Sequence, residues 1–203
     1  MQKKEKTQRK PKKKGKVTSR ERLHVLRDLF LKVMWPLLES QGFVMRPFDS
    51  WWWEWNPGVQ GYDYETVRLR KNYLDYVSIY IPQGGRHIQI TFQVIELSEE
   101  IKSLQDITMD IELSVDIGNS RKNDYIFPNF SKYGDKRIYR SFFAGDYKLK
   151  RYFTRRGFNR RVEQLKRSLI RNFSDLEPTV AMWMKRNKPD ILNVQEMKIE
   201  KTE

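Results

Sequence analysis

The sequence predicts an α+β fold: an N-terminal helix, an antiparallel sheet of about five strands, and two C-terminal helices packed on one face. Three observations carry this reading. Apolar residues recur at helical spacing from Leu23 to Leu37 and again from Phe158 to Leu169. Between them, from Phe43 to about Val115, the period changes to two. Within that stretch Pro82-Gln83-Gly84-Gly85 separates two alternating runs, the pattern of a hairpin turn. The 203 residues suit a single domain over residues 18–188, between a basic tail over 1–17 and a C-terminal stretch over 189–203 that is expected to fray.

The first helix starts at Thr18 or Ser19, since either hydroxyl can accept from a first-turn N–H and Glu21 lies in that turn. Leu23, Leu26, Phe30, Val33 and Leu37 form its apolar stripe, with Arg22, Arg27, Asp28 and Lys32 mostly facing away. Pro36 lacks a backbone donor, so a kink or break is expected there, and Gly42 supplies the stop. Phe43-Val44-Met45 and Ser50 to Trp55 read as one strand or two linked ones, ended by Asn56-Pro57-Gly58. Val67 and Leu69 then alternate with Arg68 and Arg70, and Val77, Ile79 and Ile81 with Tyr76, Ser78 and Tyr80. After the glycine turn, Ile88, Ile90, Phe92 and Val94 alternate again, and a further strand is expected from Ile107 to Val115. Residues 118–150 read as a long connection with one short strand near Arg137 to Phe143. Helix returns from about Asn159 to Phe173 on the stripe Phe158, Val162, Leu165 and Leu169. Ser174 or Asp175 caps a last helix through Trp183 to Met184, ended before Pro189.

The order of these elements resembles a known pattern. A helix carrying Trp35-Pro36-Leu37-Leu38 runs directly into Gly42-Phe43. A tryptophan-bearing strand from Trp51 to Trp55 follows, then Val67, Leu69 and Lys71, then the strand from Tyr76 to Ile81. Over residues 22–97 this resembles the bacterial family called domain of unknown function 4304. The resemblance implies an N-terminal helix ending in a Gly-Phe turn joined to a small antiparallel sheet. It implies no catalytic residues. The triple tryptophan Trp51-Trp52-Trp53 and the basic tail depart from that pattern.

Charge gives the clearest indication of a partner. The chain carries 40 Lys and Arg against 26 Asp and Glu, a net charge of +14. Nine of those cations and a single acid, Glu5, fall within residues 1–16. With no aliphatic or aromatic residue after Met1, this tail can bury no core and is expected to be disordered. It offers positive charge to a nucleic acid or an acidic protein. No membrane partner is expected, because neither an acylation motif nor an apolar anchor accompanies the charge. Cysteine is absent, which excludes disulfides, thiolate nucleophiles and Cys-ligated zinc and favours a reducing compartment. No apolar run is long enough for a membrane span or a secretory signal, so an intracellular, cytoplasmic protein is expected.

Lys10, Lys12, Lys13 and Lys14 in the tail are the first candidate phosphate contacts. Arg156, Arg160, Arg167 and Arg171 are the second. Their offsets of 4, 11 and 15 residues place them on one helical face, and Lys148, Lys150, Arg151 and Arg155 extend the charge upstream. Trp52 points away from Trp51, Trp53 and Trp55 on a strand and is a candidate to stack on a base or contact a partner, unless the domain itself covers it. Arg68, Arg70, Gln89, Thr91 and Gln93 are expected to share a polar sheet face with Asp110, Glu112 and Asp116. There an acidic row suits either a hard cation or, preferably, cross-strand pairing with the arginines.

Catalysis finds little support. His24 and His87 stand outside any metal or nucleophile motif. Glu100-Ile101-Lys102 and Asp146-Tyr147-Lys148 echo the carboxylate-x-lysine element of nucleases without its buried strand. Gly84-Gly85 lacks the helix N-terminus and Lys-Ser/Thr of a phosphate loop. The expectation is therefore a non-catalytic module without metal or cofactor, contacting DNA or RNA backbones through the tail and the basic helix. The alternative is a protein-interaction module of immunity or accessory type, engaging an acidic partner through the aromatic sheet region. Oligomeric state is left open.

Overall fold

The computed structural model describes residues 17–45, 55–104, 124–125, 147–149, 152, 154–195 and 198–200. Helix α1 (Ser19–Leu29) is capped by Thr18, whose hydroxyl accepts from the Glu21 N–H at 3.1 Å. Pro36 has no N–H for the carbonyl of Lys32, and the chain responds one turn earlier. Phe30–Met34 form a π-helical turn in which the Trp35 N–H reaches back to the Phe30 carbonyl, before α2 (Trp35–Glu39) resumes. A π turn takes up one extra residue, and this moves the apolar stripe. Val33 and Leu37, expected inside, are only partly buried, whereas Met34 and Leu38 are fully enclosed. Arg22 also departs from expectation: it is buried and donates to the carbonyls of Val17 (3.4 Å) and Gly84 (3.2 Å) and to Ser19 Oγ (3.0 Å).

The end of α2 follows from Gly42. Its φ of +83° permits a reversal in which the Phe43 N–H bonds to the Leu38 carbonyl and the Gly42 N–H to the Glu39 carbonyl. This is a Schellman closure, with Leu38 and Phe43 packed in the core on either side of it.

The sheet is built around a meander. Strands β3 (Gly61–Arg70), β4 (Tyr73–Pro82) and β5 (Gln89–Leu97) pair antiparallel, as the alternation and the glycine turn predict. Two short strands, β1 (Val44–Met45) and β2 (Trp55–Asn56), pair with β3, β1 opposite Thr66 and Val67 near its middle and β2 opposite Gly61 and Tyr62 at its start. Strand β6 (Asp124–Tyr125) pairs antiparallel with β5. The sheet is mixed rather than wholly antiparallel. After the C-terminal helices, β7 (Asp190–Asn193) lies parallel to β5, and β8 (Lys198–Glu200) pairs antiparallel with β7. A parallel pair requires the chain to cross back toward the end at which β5 begins, and the C-terminal helices lie in that crossover. Residues expected to fray thus form two strands, held by Leu192 in an apolar cluster with Ile95 and Leu97. The strands expected at 107–115 and 137–143 lie outside the described residues.

Helices α3 (Arg155–Phe173) and α4 (Glu177–Arg186) pack with α1 and α2 on one face of the sheet, as predicted. Phe30, Met34, Leu165, Leu169 and Trp183 meet Val77, Ile79, Ile90 and Phe92 there, with Trp183 edge-on to Phe92 at 6.4 Å. Gly85 is required twice: its φ is +56°, and a Cβ would stand 2.4 Å from the backbone N of Leu23 in α1. Glu21 pairs with Arg155 at one end of the helical layer, and Gln41 Nε2 donates to the Phe173 carbonyl at the other (2.6 Å). The α1–α2 segment and α3 therefore run side by side in the same direction, with both N-termini at one end of the molecule.

Candidate nucleic-acid interface

Thr154 opens α3 by accepting from the Gly157 N–H at 3.2 Å, four residues earlier than the apolar spacing alone places the start. Phe158, Leu165, Leu169 and Phe173 are buried along one stripe. At about 100° per residue, Arg156, Arg160, Arg167 and Arg171 fall within a sector about 60° wide on the opposite side. All four are exposed. Among the described residues, no carboxylate lies within ion-pair distance of any of them. Their neighbours on α3 behave differently: Arg155 pairs with Glu21, and Arg161 Nε donates to the Lys148 carbonyl at 3.1 Å. The helix carries seven Lys and Arg and one acid, the exposed Glu163. From Arg156 to Arg171 the row extends about 22 Å at 1.5 Å per residue.

The root of the N-terminal tail stands at the beginning of this row. Val17 is buried, its carbonyl is bound by Arg22, and Thr18 caps α1 beside the Glu21–Arg155 pair. Positive charge continues onto the adjoining end of the sheet, where His87 bridges to Lys148 and the Leu149 N–H bonds to the Arg86 carbonyl. Burial, and then the charges of Lys148 and Arg86, hold the His87 imidazole below the usual histidine range. Lys10, Lys12, Lys13 and Lys14 lie outside the described residues, as do Lys150 and Arg151. Trp52 does too, so its predicted stacking role rests on sequence alone.

The polar sheet face differs from expectation. Arg68 and Arg70 turn toward the helices, while Gln89, Thr91 and Gln93 alternate onto the reverse face. The arginines do pair across strands, but with Asp75. Arg68 Nη2 and Arg70 Nε donate to Asp75 Oδ2 at 2.7 and 2.6 Å, and Arg70 Nη2 to Oδ1 at 2.7 Å. Arg68 Nη1 also meets Glu177 at 2.8 Å, and its guanidinium covers the Phe43 ring at 4.8 Å. Asp110, Glu112 and Asp116 lie outside the described residues. A usable signal for Asp75 was present, because the two-residue turn after Arg70 sets it directly opposite Arg68.

On the reverse face, Tyr76 donates to Glu65 Oε1 at 2.7 Å. Asp63 stands two residues before Glu65, with a buried oxygen that has no hydrogen-bond partner. Burial first, and the Glu65 charge second, push the Asp63 carboxyl up to about 7 against the opposing pull of the Tyr64 N–H. Among the described residues, no cluster of three His, Asp or Glu side chains suits a metal. His24 lines an open, shallow groove with Thr18, Glu21 and Asp28, and Glu100 and Lys102 are exposed past the end of β5. No helix among the described residues is long and apolar enough to cross a membrane.

Comparison with protein-family models, with curated proteins and with solved structures gives no match.

Proposed function

We propose that this chain is a non-catalytic binding module that holds nucleic-acid backbones electrostatically, through the arginine row of α3 and the lysine-rich N-terminal tail. The supporting observation is the row itself: four exposed guanidinium groups on one line, opposite the buried stripe and without acidic partners among the described residues. Surface charges on a helix are ordinarily interleaved with opposite ones that pair at i, i+4. Here that pairing is missing and the arginine forks remain available for bidentate contact with phosphate oxygens. The tail lysines act as point charges that raise the encounter rate and release counterions without reading bases. A cytoplasmic location suits this activity and the absence of cysteine.

A specific observation favours a second reading. Val44, Met45, Trp55 and Val59 are exposed together along the β1–β2 edge of the sheet, a surface suited to a protein partner in the aromatic region. A stoichiometric complex that resists moderate salt and is lost in Met45→Ser/Trp55→Ser would support it.

The test of the first reading is a salt titration of binding with the intact chain and its Arg156→Gln/Arg160→Gln/Arg167→Gln/Arg171→Gln variant. Removing four phosphate contacts lowers the slope of log K against log salt by about 3 to 4. A variant with unchanged slope and affinity would sink the proposal.

A further inference from the structure

We infer that the reverse face of the sheet binds an elongated organic cation, its ammonium or guanidinium group beside Asp63 and Glu65 and an amide-like group at Gln93. The register builds the site. Across β3, β4 and β5, Asp63, Tyr80 and Gln89 stand in one row of this face, and Glu65, Ser78 and Thr91 in the next. Val67, Tyr76 and Gln93 form the third row, and the row after that, Leu69, Leu74 and Ile95, is apolar. Side chains of the first two rows are partly exposed, and those of the third are buried. The polar patch therefore deepens toward Gln93 and ends against apolar side chains.

Two groups in the patch lack the partners that their burial calls for. Gln93 is fully buried, yet among the described residues neither its Oε1 nor its Nε2 has a hydrogen-bond partner. Buried polar groups left unpaired cost stability, and a ligand that supplies the bonds recovers it. Diagonally across the patch, a buried oxygen of Asp63 is also without a partner among the described residues. The hydroxyl directly opposite, on Tyr80, donates instead to the Val59 carbonyl at 2.7 Å. Gly61 permits this: a Cβ there would stand 2.5 Å from the Tyr80 ring, which leans over the glycine and away from the row of Ser78. The small side chains of Ser78 and Thr91 then form the floor between Asp63 and Gln93.

Charge and length decide the class of ligand. Asp63 and Glu65 are neighbours on this face, and no Lys, Arg or His stands in the three rows. Burial, and then the Glu65 charge, keep the Asp63 carboxyl protonated up to about 7. A cation placed between the two acids reverses this by favouring the ionised form. A metal ion fits less well, because no third His, Asp or Glu joins the pair among the described residues. It would also leave the Gln93 Nε2, a donor, unpaired. Two strand spacings of about 4.8 Å and four residues at about 3.4 Å put the Cα atoms of Asp63 and Gln93 about 17 Å apart. Side chains reaching inward shorten the span to about 10 Å, which suits a chain such as 6-aminohexanamide.

The experiment titrates the full chain with 6-aminohexanamide, 4-guanidinobutanamide, uncharged hexanamide and magnesium chloride, by calorimetry between pH 6 and 8. The two cationic amides are expected to bind at least about tenfold more tightly than hexanamide. Asp63→Asn and Gln93→Leu are each expected to weaken them about tenfold while raising resistance to urea at pH 8, so the loss cannot come from a damaged fold. The bound cation displaces a proton from Asp63, so affinity rises from pH 6 to 8 in the parent chain and stays level in Asp63→Asn. Glu65 on β3 and Tyr76 and Tyr80 on β4 are the titratable groups facing Asp63, while β5 contributes the uncharged Gln89, Thr91 and Gln93. The Tyr80 phenol, pushed up by burial and then by the Asp63 charge, keeps its proton over this range. Cationic amides that bind no more tightly than hexanamide, or as tightly to either variant as to the parent, would overturn the inference. Magnesium binding abolished by Asp63→Asn, with no binding of the cationic amides, would also overturn it and make the acidic pair a hard-cation site.

Discussion

Asp63 shows how much one side chain's setting can change its chemistry. Its carboxyl is lifted to about 7 by burial beside Glu65, far above the ordinary aspartate value of about 3.9. The folded chain therefore binds a proton that the unfolded chain has released between those two values. The sign follows directly: the contribution to stability is fully present below about pH 4 and is lost as pH rises through 7. An amide keeps the shape and removes the titration. Asp63→Asn is expected to match the parent near pH 4 and to exceed it by about 2–4 kcal/mol at pH 8, with the residual exposure of the group favouring the lower figure. Urea unfolding between pH 4 and 8 checks this, and parallel profiles for the two proteins would refute it. Asp75 is the counterexample on the helix-covered face. It is fully buried, but two guanidinium groups compensate its charge.

At the scale of elements, legibility depended on how local the determining interaction was. The β4–β5 hairpin could be read because Pro82 to Gly85 fixes it within four residues. Helix α3 could be read because its stripe keeps regular spacing. Strand β7 could not, since Asp190 to Asn193 contains only two apolar residues and is stabilised by β5, almost a hundred residues away. The α1–α2 stripe was legible up to Phe30 and then displaced by one position, because 3.6 residues per turn was assumed across a turn that holds more. Of the candidate site, the arginine row was legible from spacing alone, whereas its place beside the tail root depended on Glu21 and Arg155, which are distant in sequence. The displaced stripe makes a sharp prediction. Leu38→Ala empties a fully buried position and is expected to destabilise by about 2–5 kcal/mol, while Leu37→Ala, on the half-exposed side, changes stability by about 1 kcal/mol or less. Equal effects in thermal or urea unfolding would mean that the helix keeps ordinary α spacing through Pro36.

For the molecule as a whole, the question is whether the proposed binding follows net charge or the place of each charge. A net charge of +14 attracts any polyanion from a distance, yet at physiological ionic strength fields decay within about 8 Å. Only charges near the contact surface should then matter. Glu163 and Glu100 separate the two possibilities, since both are exposed and neutralising either one raises the net charge equally. Glu163 is the acid on α3 and borders the arginine row, so a phosphate backbone lying there is repelled by it. Glu100 lies three residues past the last residue of β5, in the segment that leaves the sheet and not on α3. Glu163→Gln is expected to tighten duplex binding by about two- to fivefold at 100 mM salt, corresponding to about 0.4–1 kcal/mol for one partly screened charge. Glu100→Gln is expected to leave affinity unchanged. Anisotropy titrations of both variants against one labelled duplex decide the matter. An equal gain from the two would show that the chain attracts polyanions through bulk charge alone, and α3 would then have no privileged place in binding.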